Sequence, residues 1–361
     1  MKWFLIIFSV ITSQLFTNER ENPCPNDISN QTQCEKYAYN YMPKMMCDRS
    51  FNFSVFGEFL YMQAVENGLE YAVLNLTSSN PRNPADVLPG KRIGFNDDWK
   101  YKPGIKVGLE YLDKDLFNAQ LYWSYVDFDN RSSFSFAGQG TLLPLWLSSF
   151  VFVNISTSKD MRVKWSGHFN SLDFKIGKNV YLGKYVLFEP NIGLKAAWID
   201  QKYFVNINAQ WGTNDPFLDG TFNGDIDFKG IGIRAGVNTE FHFLKYFYLF
   251  GDVKFSILAS KFVLFQKSIS FNSTPTLQDV EQNQIIRTET PVFENISGVG
   301  SNFSLKDIVT ISLKVGYETQ IWFRQNRFVR FFDAVTPSSG TDSINEDFFL
   351  SGLNASLKIQ F

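Results

Sequence analysis

The stretch FFLSGLNASLKIQF, residues 348–361, decides the fold class. From Phe349 its odd positions read Phe349, Ser351, Leu353, Ala355, Leu357, Ile359 and Phe361, almost wholly apolar. Its even positions read Leu350, Gly352, Asn354, Ser356, Lys358 and Gln360, mostly polar. A period of two places the two sets on opposite faces of a β-strand. The apolar face needs a cover. That cover is a second protein layer in a soluble sandwich, or lipid in a membrane barrel. The rest of the chain chooses between them.

The same alternation recurs upstream. FNFSVFGEFLYMQAV sets Phe51, Phe53, Val55, Phe59 and Tyr61 against Asn52, Ser54 and Glu58. PGIKVGLEYL sets Ile105, Val107, Leu109 and Tyr111 against Lys106, Gly108 and Glu110. FNAQLYWSYVDF follows after residues 113–116 only, so these two runs read as a hairpin. Around residues 162–176 the phase changes: Val163, Trp165 and Phe169 are odd, while Leu172, Phe174 and Ile176 are even. A one-residue slip predicts a β-bulge near Asn170. Clean strands follow at 186–198, 231–242, 249–257 and 309–321. An eighth strand, within 289–302, has a weak pattern and rests on parity. A closed antiparallel barrel with both ends on one side needs an even number of strands. The total expected is about ten, within eight to twelve.

Connection lengths alternate. Short links fall at 114–115, 177–184, 244–247 and 303–307, and long ones at 66–102, 129–161, 202–227, 267–288 and 325–346. Short periplasmic turns and long outer loops mark an outer-membrane barrel, and a sandwich has no reason for the alternation. Composition agrees. The chain has 361 residues, 17% of them aromatic with 38 Phe, yet its mean hydropathy is −0.14. The apolar run 142–153 is too short and interrupted to span a bilayer as a helix. A net charge of −2 argues against a nucleic-acid partner. The expected fold is therefore an all-β, antiparallel transmembrane β-barrel of a bacterial outer membrane.

The N-terminus, MKWFLIIFSVITSQLFTNERENPC, places Lys2 before an apolar run and reads as a signal peptide, residues 1–18, with cleavage between 13 and 18. Residues 19–50 form a cysteine-bearing segment, and 51–361 the barrel. Cys24, Cys34 and Cys47 are the only cysteines. In an oxidising compartment they allow one disulfide and one leftover thiol, which can cross-link a neighbouring chain. The alternative is an unpaired or shuffled set. No His lies near them, which disfavours a metal.

The polar phase carries seven acids, Glu58, Glu110, Asp173, Glu189, Glu240, Asp252 and Glu318, and seven bases, Lys106, Lys175, Lys195, Arg234, Lys254, Lys314 and Lys358. A Lys or Arg facing lipid at the midplane would cost roughly 2–4 kcal/mol, so these groups are expected in the lumen. Balanced charge allows two arrangements: pairs that fill a narrow barrel, or a wet channel of weak selectivity. Ten strands enclose less space than a 16-stranded porin. His168 and His242 also fall on positions read as lumen-facing. No Ser or Asp is fixed beside either by spacing, so no enzyme, metal or cofactor is expected. The apolar loop 138–155, GQGTLLPLWLSSFVFVNI, has three readings: a segment folded into the barrel, one resting on the membrane, or two further strands.

NSLDFKIGKNVYLGKYVLFEPNIGLKAAWIDQKY at 170–203, with GEFLYMQAVENGLEYA at 57–72, KGIGIRAGVNTEF at 229–241, YLFGDVKFSILASKF at 248–262, VGYETQIWFRQNRF at 315–328 and SGLNASLKIQF at the C-terminus, resembles the Legionella-type major outer membrane protein family, which includes porin-like proteins of environmental chlamydiae. The resemblance implies a pore-forming barrel with no catalytic residues. It also implies partners: outer-membrane lipid, and a barrel-assembly machinery reading Leu357, Ile359 and Phe361 as its signal. A homo-oligomer or disulfide-linked neighbours are further candidates. Two functions follow. A diffusion porin would pass small hydrophilic solutes through a lumen shaped by the charges above. A non-conducting envelope protein would use the barrel as an anchor, its loops for contact and its cysteines for cross-links. An open lumen would favour the first and a sealed one the second.

Overall fold

The computed structural model describes residues 51–75, 91–95, 99–113, 117–135, 141–146, 157–182, 185–210, 217–244, 247–270, 278–305, 309–331 and 341–361. The signal peptide, the cysteine segment and most of loop 138–155 lie outside the described residues. Ten long strands form the wall: β1 (Phe51–Glu66), β2 (Tyr101–Asp113), β3 (Phe117–Ser135), β4 (Thr157–Lys178), β5 (Val186–Gln210), β6 (Phe217–His242), β7 (Phe247–Ser270), β8 (Gln278–Leu305), β9 (Val309–Asn326) and β10 (Glu346–Gln360).

Each strand pairs antiparallel with its chain neighbours, and β10 pairs with β1, so the sheet closes on itself. The closing register runs from Ser54↔Gln360 to Glu66↔Phe348, and the Phe361 N–H donates to the Phe53 carbonyl at 2.9 Å. Closure leaves neither the first nor the last strand with a free edge, which lipid demands of a spanning sheet. A short added strand, Val180–Leu182, pairs beside the start of β5. The expected ten-stranded barrel is the observed one.

The outward phase carries the lipid belt: Phe53, Val55 and Phe59 on β1, Leu121 and Trp123 on β3, Ile231 and Ile233 on β6, Leu353 and Leu357 on β10, all exposed. Ile192 is 70% exposed and Ile233 67%. In water such surface would cost about 25 cal/mol per Å². Hydrocarbon removes that cost, which is why the wall bears an apolar face without a second layer.

Three sequence expectations change. There is no bulge at Asn170. The β4–β5 register is unbroken from Asp160↔Asn208 to Gly177↔Asn191, and the one shift falls between Ser158 and Asp160. Odd residues of β4 point inward throughout: Val163, Trp165 and Phe169 are as buried as Ser171, Asp173 and Lys175. What changes near Asn170 is the character of the interior, not the phase. His168 consequently faces outward, with its side chain 54% exposed, not the lumen. Finally, the long links at 202–227 and 267–288 are mostly strand. β8 has 28 residues where β9 has 18. At about 3.4 Å per residue that is roughly 34 Å of extra length, and it rises on the outer side as a tall arc of wall.

Part of the outer connections folds into the mouth. Ala72–Asn75 pairs with both Lys91–Ile93 and Thr141–Pro144 in a small sheet. Val329–Phe331 pairs with Thr341–Ser343. Between Trp322 and Asn326 the β9–β10 register shifts, and Arg324 takes a left-handed φ of 55°. Past that turn the chain leaves the wall, and Phe328 is fully buried.

Candidate functional site in the barrel lumen

The interior has two chemistries. In the outer half it is aromatic. Trp146, from the connection after β3, is buried among Tyr203 (centroids 4.9 Å apart), Phe222 (5.0 Å) and Phe328 (5.8 Å). Its indole N–H donates to the Glu70 carbonyl at 2.7 Å, which meets the need of a buried indole for an acceptor. Arg330 lies over the Trp146 ring, 5.4 Å from its centroid. It donates to the Gly68 carbonyl at 2.7 Å and to a Glu70 carboxylate oxygen at 2.6 Å. Three connections are thus tied at one point.

Wall residues hold this plug. The Tyr203 hydroxyl donates to the Leu69 carbonyl at 3.0 Å. The Gln266 amide brackets Val329, accepting from its N–H at 3.1 Å and donating to its carbonyl at 3.2 Å. Asn326 donates to the Asn67 carbonyl at 2.7 Å. Below the plug a second aromatic layer crosses the barrel. Phe128 meets Trp165 at 4.4 Å, Trp165 meets Trp99 edge-on at 5.4 Å, and Trp322 meets Phe169 edge-on at 5.4 Å and Phe228 at 6.0 Å. Of loop 138–155, Thr141–Pro144 joins the small sheet and Trp146 is buried against wall residues Tyr203 and Phe222; residues 138–140 and 147–155 lie outside the described residues.

Below Trp322 the interior becomes ionic. Lys195 marks the border, 5.5 Å from the Trp322 centroid. It pairs with Asp173 at 3.2 Å and with Glu294, on β8, at 2.6 Å. Arg234 pairs with the same Asp173 at 2.9 Å and donates to the Tyr122 hydroxyl. The side chains of Lys195, Asp173 and Arg234 are at most 1% exposed. Around the Tyr122 ring stand three cations, with Arg234 at 5.4 Å and Lys106 and Lys254 each at 5.8 Å from its centroid. Lys106 bridges Glu58 at 3.1 Å and Glu318 at 3.0 Å, and Lys254 pairs with Asp252 at 2.8 Å.

Many of these pairs join strands that are not neighbours: β2 to β9, β5 to β8, β6 to β9, β10 to β2. They cross the lumen instead of lining it. Nearer the periplasm, Lys175 pairs with Glu189 at 2.9 Å, Lys314 with Glu240 at 2.9 Å and Lys358 with Glu110 at 2.8 Å, and His242 approaches Glu240 at 3.3 Å. These groups border a cavity of about 170 Å³, with Phe56, Asn118, Tyr181 and Tyr248 among its walls.

All twelve lumen charges named from the sequence, Glu58, Lys106, Glu110, Glu189, Lys195, Arg234, Glu240, Asp252, Lys254, Lys314, Glu318 and Lys358, lie on inward-facing strand positions, and every one has an ion-pair or hydrogen-bond partner. Two central residues were not foreseen. Glu294 sits on the strand whose alternation is weakest. Tyr122 was legible as an aromatic on the polar phase of its strand. Leu357 and Phe361 are exposed on the outward face and Ile359 is half-buried there. His168 contacts Asp127 at 2.9 Å on the outer surface. Cys24, Cys34 and Cys47 lie outside the described residues.

Solved structures give distant likenesses. The outer membrane protease OmpT of Escherichia coli aligns with a TM-score of 0.40 at 8% identity, over 89% of this chain and 99% of that one. A FadL homologue of Pseudomonas aeruginosa gives 0.24 at 9% identity, over 86% and 90%. A mutant of the monoaromatic hydrocarbon channel TodX gives 0.26 at 7% identity, over 89% and 92%. No curated protein matches the sequence. The family described as Legionella pneumophila major outer membrane protein precursor matches residues 45–361, the whole of the barrel, so this chain belongs to that family and its place is the bacterial outer membrane.

Proposed function

We propose that the barrel is shut in its resting state and serves the envelope as an anchored, non-conducting structural protein. One observation carries this reading: the plug around Trp146, tied by Arg330 to Gly68 and Glu70 across the barrel mouth. The ion pairs that cross the lumen below it are a second closure of different chemistry. Balanced charge here neutralises itself side chain to side chain and leaves no free field to select a solute. The role is not enzymatic. In it, Cys24, Cys34 and Cys47 supply cross-links and the tall outer wall supplies contact surface.

A gated porin is the second reading, and the periplasmic cavity favours it. A vestibule lined by four glutamates, three lysines and His242 is half of a passage for small hydrophilic solutes. Conductance in a planar bilayer separates the two. The intact, folded protein is expected to be silent, and discrete steps of weak ion selectivity from it would overturn the closed resting state. Replacing the connections that carry Trp146 and Arg330 with short turns separates anchor from gate. Continued silence supports the anchor, because the crossing ion pairs remain. Steady conductance makes the plug a gate.

A further inference from the structure

Along β6, β7 and β8 the outward phase does not stay apolar. On β6 it reads Ile233, Ile231, Lys229, and on β7 it reads Ile257, Ala259, Lys261. The register sets Lys229 directly opposite Lys261, and Lys261 directly opposite Arg287 on β8. All three are exposed, and among the described residues none of them has an ion pair. Trp198 stands opposite Lys229 on β5, at the other end of the row. Three cations on adjacent strands, about 5 Å apart, repel one another, and a directly opposed pair of like charges destabilises a sheet. An anion lying over the row would relieve that repulsion.

We propose that Lys229, Lys261 and Arg287 bind the phosphate groups of a phosphorylated glycolipid in the outer leaflet. Position and charge together point to this occupant. On β6 the apolar run of Ile231 and Ile233 ends at the row, with Asp227 beyond it, while on β7 and β8 exposed Val263 and Ile285 follow, so the row sits in the zone where acyl chains give way to headgroups. Cations at that border gain from anionic lipid. Arg287 adds a planar fork suited to phosphate oxygens. Carboxylates also stand nearby. Asp227 lies two residues from Lys229 and opposite Asp200, and Glu289 lies two residues from Arg287. They bound the row above and below and confine the anion to it. This inference needs only the outer-membrane wall and holds whether or not the lumen opens.

The test uses the full chain, folded in detergent and reconstituted into phosphatidylcholine vesicles doped with bis-phosphorylated lipid A or its dephosphorylated form. Wild-type protein is expected to retain the bis-phosphorylated lipid at least tenfold better. The variant K229Q/K261Q/R287Q is expected to lose that preference, while R131Q/K164Q, higher on the same outer surface, keeps it. Equal retention of the two lipids by wild type, or undiminished preference in the triple variant, would overturn the proposal. The wild-type comparison needs no variant and stands even if the triple substitution fails to fold. Loss of the preference on chelating divalent cations would also overturn it, by assigning the phosphate to an ion held at Asp200 and Asp227.

Discussion

The two halves of the lumen solve one problem with opposite means. Both fill a narrow barrel. The outer half does so with rings, Trp146, Trp165, Trp322 and Phe128, whose polar edges are few and individually satisfied. The periplasmic half does so with charges at least 70% buried that satisfy one another. The first is stabilised by volume and contact, and tolerates small shifts. The second depends on each partner being present, because a lone buried charge is costly. Closure by rings can yield locally. Closure by crossing ion pairs yields only if several strands move together.

Substitutions can break or sharpen that contrast. Asp173→Ala is expected to be the most damaging, because it removes the carboxylate that Lys195 and Arg234 share, leaving Lys195 only Glu294 and Arg234 only the Tyr122 hydroxyl. The loss should be about 3–5 kcal/mol, read as a fall in the urea midpoint of the barrel in micelles. A loss below about 1 kcal/mol would show that the charged half is not a network. Trp146→Ala should cost about 3 kcal/mol, at the low end for a buried Trp since connections collapse more readily than wall. Its signature is earlier proteolysis of the outer connections, with the wall still resistant to heat in a gel-mobility assay. Arg330→Met keeps much of the stem against Trp146 and removes the bonds to Glu70 and Gly68. A cost of about 1–3 kcal/mol is expected in the same assay. Asp129→Asn, on the exposed surface beside Arg131 and Lys164, should change the midpoint by less than about 0.5 kcal/mol. A larger change there would mean that stability is not concentrated inside the wall.

The wall was legible because lipid enforces a period of two on one face whatever the other face holds. That is why Phe53 to Tyr61 and Ile231 to Phe241 could be read from sequence, and why twelve charges could be placed inward. The same rule explains the errors. It assumes that the inner face is polar, and on the outer half of β4 it is not. Val163, Trp165 and Phe169 looked like a lipid-facing phase, which produced a false bulge at Asn170 and turned His168 the wrong way. β8 was weak for a related reason. Its outward Asn295 and Ser297 are polar while its inward Val292 is apolar. The plug was legible only in part: one reading folded the apolar loop 138–155 into the barrel. Its other members come from 68–74, 91–95, 328–331 and 341–344, and only closure of the barrel brings them within reach.

The seam between β1 and β10 has a consequence in time. Val55 pairs with Ile359 and Phe59 with Ala355, partners from opposite ends of the chain. Loops of that length close slowly, since the entropy is lost before any contact compensates it. Until the seam forms, two strand edges present unpaired N–H and C=O groups to any passing chain. The longer that open ribbon lasts, the longer its two edges can capture another chain before the barrel is finished.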